Sequence, residues 1–209
     1  MFWRKKPLKY DILIPPLNKP VHQLSETEAQ AFFDWYMEQL DERTAYLRQY
    51  TGLALDYSPE SLVPLWKWFL RHAEIENTPT ERLDELKKEM AGHPLADTVL
   101  KDSARQLSLE TEYIIRDIGM YWGQVFVKNH PGIHWGFYTK PKRDMFVNRP
   151  LLLGFPNEVF PDRAGVPFEP VHMTHVQACG LFRHHTSKYD LLKIHRIWEE
   201  KIVNPEPEE

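Results

Sequence analysis

The C-terminal quarter of the chain holds the residues best suited to chemistry. His172, His175 and Cys179 are spaced by three and four residues, and His184 and His185 follow closely. On a helix this spacing places the first three side chains on one face, as the ligands of a divalent metal require. One hypothesis is therefore a zinc site, hydrolytic or structural, formed by His172, His175 and Cys179 with His184.

The same residues also fit ordinary core packing. The segment lacks the glutamate of the His-Glu-x-x-His helix of zinc proteases. The nearest carboxylates in the sequence, Glu169 and Asp190, lie outside the cluster. An amphipathic helix can bury histidine and cysteine beside Met173, Val176 and Phe182. We favour this interpretation, so no cofactor is expected and zinc remains the alternative.

Cys179 is also a possible nucleophile. It is the single cysteine of the chain, which excludes an intramolecular disulfide and a cysteine-rich zinc site. Cysteine catalysis needs a base beside the thiol and a group that orients the base. Histidines are plentiful, but Cys179 lies within an apolar helical segment, where a thiol is usually inert packing. We expect no catalytic residue, and the sequence leaves open whether the protein is an enzyme.

Basic and aromatic residues alternate over residues 128–149. The predicted binding residues in this stretch are Trp135, Tyr138, Lys140, Lys142, Arg143 and Arg149. On a small sheet such side chains can contact an acidic protein surface or stack on single-stranded nucleic acid. A sheet with aromatic side chains inward and cations outward is the simplest explanation, and a protein partner is the next.

Other reaction types lack their residues. Glu110, Glu112 and Asp117 lie near the start of a long helix, where negative charge favours the helix dipole. Asp56 precedes a helix cap, where local turn bonding explains it. The chain has no glycine-rich phosphate loop and no Gly-x-Ser-x-Gly elbow. The sequence therefore gives no support for general acid–base catalysis.

Composition indicates a globular intracellular protein. The 209 residues are 42% hydrophobic and 27% charged, close to globular averages. A net charge of −4 argues against a dedicated nucleic-acid binder. No segment resembles a signal-peptide core or a membrane span. We therefore expect a cytoplasmic protein that does not bind membranes.

Start signals mark the helices of the N-terminal half. Ser25 and Glu28 form a capping box before a helix expected to end near Gly52. Ser-Pro at residues 58–59 starts a second helix, and Thr-Pro-Thr-Glu at residues 78–81 forms the capping box of a third. Helices are therefore expected to dominate this half.

A long helix is predicted from Ser108 to about Lys128. Gly119 and Gly123 lie four residues apart on one face of it. Glycine inside a helix is unfavourable by about 1 kcal/mol relative to alanine, so two of them suggest that another backbone packs closely there. A third hypothesis makes this face the contact of an oligomer.

The pattern changes at His-Pro-Gly, residues 130–132, which predicts a turn. An antiparallel meander is expected next, followed by two helices. The predicted strands span residues 133–138, 145–147 and 151–154, and the helices about 171–182 and 187–203.

Helices, a small sheet and further helices in this order indicate the α+β class. We predict a helical N-terminal half, a small antiparallel sheet of three or four strands, and C-terminal helices. The whole chain, residues 1–209, is expected to be a single domain. It begins with an extended lead-in, residues 1–23, containing a short strand at about 10–14, and it ends in an acidic tail, residues 204–209.

Two passages carry a resemblance. Residues 55–62 read Leu-Asp-Tyr-Ser-Pro-Glu-Ser-Leu, and residues 118–126 read Ile-Gly-x-Tyr-Trp-Gly-x-Val-Phe before a strand that contains Trp135. Over residues 50–155 the chain resembles an uncharacterised family of small bacterial proteins, a domain of unknown function. The resemblance implies the architecture above and no catalytic residues.

These observations predict a non-enzymatic intracellular protein-binding module. The basic and aromatic stretch makes an acidic protein the expected partner. Because some small bacterial proteins of this size are immunity or antitoxin partners, an analogy of class, we expect a module of that type. The alternative is a metal-dependent hydrolase or a metal-stabilised protein that uses the C-terminal histidine and cysteine cluster.

Overall fold

The computed structural model of the protein describes residues 9–155 and 167–203. The α+β class is confirmed, with seven α-helices and four short strands in these ranges. The helices are α1 (Glu26–Thr51), α2 (Leu62–His72), α3 (Thr80–Glu89), α4 (Ala96–Asp102), α5 (Leu109–Asn129), α6 (Pro170–Ala178) and α7 (Asp190–Val203). The strands are β1 (Ile75–Asn77), β2 (Arg105–Leu107), β3 (His134–Gly136) and β4 (Leu151–Leu153). Short 3-10 helices lie at Val21–Gln23, Pro59–Ser61 and Cys179–Arg183.

The strands form two antiparallel pairs, β1 with β2 and β3 with β4, so the predicted single sheet of three or four strands is wrong. The predicted middle strand, residues 145–147, is a turn, because Asp144 accepts a 2.8 Å hydrogen bond from the Phe146 amide at its side chain. Aspartate favours this local bonding over a strand ladder. Leu152 of β4 instead forms an isolated bridge with Phe168.

The start signal of α1 is confirmed and that of α3 is not. The Ser25 hydroxyl accepts a bond from the Glu28 amide, the Glu28 carboxylate accepts one from the Ser25 amide, and Gly52 ends the helix at φ 69°. At the start of α3 no side chain caps the helix. The Thr78 hydroxyl donates instead to the Ser103 carbonyl at 2.7 Å.

The lead-in does not contain the predicted strand, since residues 9–20 form neither helix nor strand. Tyr10 is buried instead and packs edge-on against the rings of Tyr46 and Tyr50. Burial of a large aromatic ring holds this segment against α1. The acidic tail, residues 204–209, and residues 1–8 lie outside the described residues.

Helix α5 crosses the centre of the core, and its two glycines permit the close packing. A Cβ at Gly119 would lie 2.6 Å from the Val171 Cα of α6, and one at Gly123 would overlap the Trp135 indole. The expected close backbone approach is confirmed at Gly119, whereas Gly123 faces a ring. The glycine face is therefore filled from within the chain, so the hypothesis of an oligomer through this face is wrong.

Candidate functional site

A cavity of about 430 Å³ lies between α1, α5 and α6. Its apolar wall includes Val21, Phe32, Trp35, Ile115 and Val171. Polar lining comes from Glu112, Arg116, Arg149, Glu169, His172 and His175. This volume and this mixture of apolar walls with a few polar groups are typical of small-molecule sites.

Two arginines bring positive charge to the cavity. Arg116 is held by α5, where its Nε and Nη2 donate to Asp117 Oδ1 at 3.3 and 3.2 Å. Arg149 is exposed, and its guanidinium forms no ion pair with any residue in the described part of the chain. Of the two, Arg149 is therefore the cation that is available to an incoming anion.

Asp117 fixes the position of Arg116 from beneath the cavity. It is fully buried in α5 and accepts hydrogen bonds from Tyr10 at 2.6 Å and from Arg43 at 2.7 and 2.9 Å. Buried carboxylates persist when they are paired and hydrogen-bonded in this way. The expectation that Asp117 serves the helix dipole is wrong, because it joins the lead-in, α1 and α5.

Glu169 is the buried acid of the cavity. It precedes α6 and its side chain accepts a hydrogen bond from the His172 amide. Burial raises the pKa of Glu169 to about 7. Near neutral pH this carboxyl therefore exists in both protonation states, and its protonated form can donate a hydrogen bond.

The hydroxyl of Tyr36 is a further buried polar group at the cavity wall. Among the described residues it has no hydrogen-bond partner. A buried hydroxyl without a partner costs about 1–3 kcal/mol. Because buried polar groups are nearly always hydrogen-bonded, a ligand in the cavity would supply the missing partner.

Beside the cavity, Glu112, His175 and Cys179 form a polar group that we call the thiol cluster. His175 Nε2 lies 3.2 Å from Glu112 Oε1, and His175 Nδ1 lies 3.7 Å from Cys179 Sγ. The contacts with Cys179 and Glu112 raise the pKa of His175 to about 10. The imidazole is therefore protonated at neutral pH and is paired on both sides.

Glu112, like Arg116 and Tyr36, was not predicted as a site residue. The carboxylates weighed as partners of His175 lie near it in sequence, whereas Glu112 belongs to α5, where it was expected to serve the helix dipole. The close packing at Gly119 brings α6 onto this face of α5, and Glu112 lies two helical turns before Gly119 on the same side. Gly119 was therefore the signal in the sequence that could have pointed to this carboxylate.

The four predicted metal ligands do not converge. His175 and Cys179 are in contact, but the His172 ring packs edge-on against Phe146 at 5.6 Å, and burial lowers the pKa of His172. His184 is exposed and ends the 3-10 helix at φ 55°. No three of them form a ligand group within the described ranges, so the structure does not support a zinc site at these residues.

A different group, His130, His195 and Glu199, has its donor atoms within 4.8 Å of one another. We call these residues, together with Trp122, the closed histidine cluster. The Trp122 indole N–H donates to His195 Nδ1 at 3.3 Å. Neutral His195 must then carry its proton on Nε2, the nitrogen that a metal would need. The cluster therefore fits a metal poorly, and zinc binding stays an untested prediction.

The predicted binding residues do not share one surface. Trp135 is only 9% exposed, because its ring fills the space beside Gly123 and its indole nitrogen donates to Gln124. It therefore belongs to the core. The Tyr138 hydroxyl donates to Asp144 at 2.7 Å, which turns that side chain toward its own loop.

Lys140, Lys142 and Arg143 are exposed on residues 138–149, which we call the basic loop. The loop is closed by a 2.8 Å bond from the Asn148 amide to the Tyr138 carbonyl. Lys142 Nζ also donates to the Leu24 carbonyl. The basic loop thus has a defined conformation, and its last residue, Arg149, lines the cavity.

In comparisons with known proteins, no protein-family model, curated protein or solved structure matches the chain. The resemblance of residues 50–155 to a bacterial domain of unknown function stays a prediction. None of the helices described combines the length and the apolar character needed to cross a membrane.

Proposed function

We propose that the protein binds a small amphipathic anion, a carboxylate with an apolar body, in the cavity between α1, α5 and α6. The observation that carries this proposal is the Arg149 guanidinium, which lines an apolar cavity and has no ion-pair partner among the described residues. Arginine pairs with carboxylates through two parallel hydrogen bonds, so it selects the head group of such a ligand.

The other charges of the cavity favour the same ligand. Glu112 and His175 form an ion pair and so add little net charge. Glu169, with its pKa near 7, becomes neutral more readily when a second anion approaches, because like charges disfavour ionisation. Arg149 then leaves the lining with net positive charge, since Arg116 is paired with Asp117.

The apolar wall supplies the affinity for the body of the ligand. Phe32, Trp35 and Ile115 line the cavity from two helices. Burial of apolar surface contributes about 25 cal/mol per Å². A linear chain of several carbons therefore gains from entering the cavity, whether or not its end is charged.

Isothermal titration with octanoate and its uncharged analogue octanamide tests the proposal. We expect octanoate to bind the wild-type protein more tightly than octanamide. Arg149→Gln should weaken octanoate binding about tenfold to a hundredfold, since a hydrogen bond to a charged group contributes about 1.5–3 kcal/mol, and should leave octanamide binding unchanged.

Arg143→Gln is the matched control. Arg143 is also an exposed arginine of the basic loop, but it does not line the cavity. The Arg143→Gln variant should bind both probes as the wild type does. Equal affinity of the wild type for the two probes, or the same loss of octanoate binding in both variants, would contradict the proposal.

An acidic protein partner, in a non-enzymatic module of the immunity or antitoxin type, is the second candidate function. The basic loop supports it, because its exposed cations Lys140 and Arg143 lie on a closed loop rather than a free segment. Aspartate and glutamate side chains of a partner would match this charge.

Capture of a host protein by the wild type, and its loss in Lys140→Glu/Arg143→Glu, would support this second function. The Arg149→Gln variant should retain the partner, because Arg149 faces the cavity. Recovery of the same proteins by wild type and the double variant would exclude the basic loop as the binding surface.

A further inference from the structure

The thiol cluster has its groups in the order that nucleophilic cysteine chemistry requires. Glu112 is an acceptor when ionised, so the 3.2 Å contact places an N–H on His175 Nε2. In the neutral ring the lone pair then lies on Nδ1, which faces Cys179 Sγ at 3.7 Å. The carboxylate therefore selects the tautomer in which histidine can take the thiol proton.

We propose that the thiol cluster is a nucleophilic site at which Cys179 adds to small α,β-unsaturated carbonyl compounds, with His175 as the base and Glu112 as its positioning residue. This activity is independent of the anion binding proposed above, because it uses the thiol rather than Arg149.

The reaction balances with the groups present. The reaction starts from the ion pair in which the proton of the thiol rests on His175 Nδ1, a Cys179 thiolate beside an imidazolium. The sulfur pair then forms a bond to the β-carbon of the compound, and the electrons of the carbon–carbon double bond move to the α-carbon. The proton on His175 passes to the α-carbon, so the thioether product and the remaining imidazole are both neutral.

Two cavities reach the carboxylate and the imidazole of the cluster, whereas the thiol lines neither of them. Glu112 and His175 line the cavity described above and also a second one of about 350 Å³. Their side chains are each 41% exposed, and Cys179 is half-buried. A thiol packed inertly in a core would have neither a carboxylate-bound imidazole nor open space at that imidazole.

Of the charges around His175, the Glu112 carboxylate favours the imidazolium. Glu112 faces His175 from α5, and His172 lies one turn earlier on α6. Arg82 and Arg105 line the second cavity together with His175. The raised pKa of His175, caused by Cys179 and then Glu112, agrees with a proton that rests on the imidazole.

The rate of alkylation by iodoacetamide, followed by intact mass between about pH 5 and pH 10, measures the thiolate fraction. An ordinary cysteine titrates near about 8.5, whereas thiols paired with histidine titrate at about 3.5–7.5. We expect the wild-type rate to reach its plateau below pH 8, and we expect acrylamide to add once to the same residue.

His175→Gln should move the midpoint of the curve of alkylation rate against pH to about 8.5 or above. At pH 7 its rate should be about fivefold to tenfold below wild type, since the gain in thiolate exceeds the loss in nucleophilicity that accompanies a lower pKa. At alkaline pH the order should reverse, and the two curves should cross. A change in access to the thiol would scale the whole curve and would not produce this crossing.

Glu112→Gln should give a midpoint between those of wild type and His175→Gln. The control is His184→Asn, which removes a nearby exposed imidazole that does not contact the thiol, and asparagine tolerates the positive φ found there. It should leave the curve unchanged. Circular dichroism and the urea midpoint verify that each variant is folded.

Three outcomes would overturn the proposal. The first is a wild-type midpoint at 8.5 or above, and the second is the same midpoint in wild type and folded His175→Gln. The third is a Cys179 that reacts with iodoacetamide or acrylamide only after unfolding in urea. A low midpoint without any acrylamide adduct would exclude the unsaturated carbonyl class.

Discussion

The pKa of a histidine is shifted in opposite directions in the thiol cluster and in the closed histidine cluster. His195 is fully buried, and burial lowers its pKa to about 4. His175 is partly exposed, and its contacts with Cys179 and Glu112 raise its pKa to about 10. Burial causes the first shift, against the opposing effect of the Glu199 carboxylate, whereas contacts with a thiol and a carboxylate cause the second.

This comparison shows why histidine content alone says little about a site. A buried histidine ring that accepts a hydrogen bond is held in its neutral form and contributes to packing. His195 is such a ring, and it packs between Trp122 and Phe126. A ring that donates to a carboxylate keeps its other nitrogen for a second partner. The reactive position is therefore set by α5, which supplies both Trp122 and Glu112.

The largest expected effect concerns acid stability. Because the pKa of His195 is lowered on folding, the unfolded chain binds more protons between pH 6.5 and about pH 4. This contribution to stability is present above pH 6.5 and is lost as the pH falls toward 4. At about 1.4 kcal/mol per tenfold change in proton affinity, the loss is on the order of 3 kcal/mol.

Urea unfolding of wild type and His195→Gln across this range measures the effect. The variant is expected to be less stable at neutral pH, because it loses the Trp122 bond, but its stability should fall less steeply with acid. Groups common to both proteins, including Glu199 and His130, largely cancel in the difference. Parallel curves would show that His195 titrates normally.

Gly119→Ala should have the next largest effect, because it separates the two helices that form the thiol cluster. The new Cβ would lie 2.6 Å from the Val171 Cα, and backbone cannot move away cheaply. Because the clash is with backbone, the upper part of the overpacking range applies, about 2–3 kcal/mol, and the higher helix propensity of alanine offsets about 1 kcal/mol. We expect a net loss of about 1–2 kcal/mol in urea unfolding.

Gly132→Ala is the control for this change. A Cβ there meets nothing within 4 Å, and the glycine does not have a positive φ. Its effect should stay within about 0.5 kcal/mol. A Gly119→Ala protein as stable as Gly132→Ala would contradict the close contact between α5 and α6.

Local signals predicted the helices well, because each depends on a few neighbouring residues. The Ser25 capping box and the Gly52 end needed only the chemistry of adjacent positions. The strands were less predictable, since Asp144 bonds its own loop where a strand was expected. Whether such a segment forms a turn held by a side chain or pairs as a strand is decided by its tertiary contacts.

The candidate site was predicted only in part for the same reason. His175 and Cys179 lie one turn apart, so their contact follows from helix geometry. Glu112 and Arg149 reach the site through the packing of other elements, which no local pattern encodes. Trp135 was assigned to a surface because strand alternation does not say which face is covered, and it fills the core beside Gly123.

The smallest expected effect is the alkaline counterpart of the His195 prediction, and it tests the other half of the comparison. Because the pKa of His175 is raised on folding, its contribution to stability is complete below pH 6.5 and is lost as the pH rises through about 10. The His175 and Glu112 side chains are each 41% exposed, so solvent screening reduces this contribution to about 1 kcal/mol or less. Between about pH 7 and pH 10, wild type should therefore lose slightly more stability to urea than His175→Gln, whose other titrating groups are the same. An equal loss in both proteins would mean that His175 is not held as an imidazolium, and the contrast with His195 would then be one of burial rather than of partner.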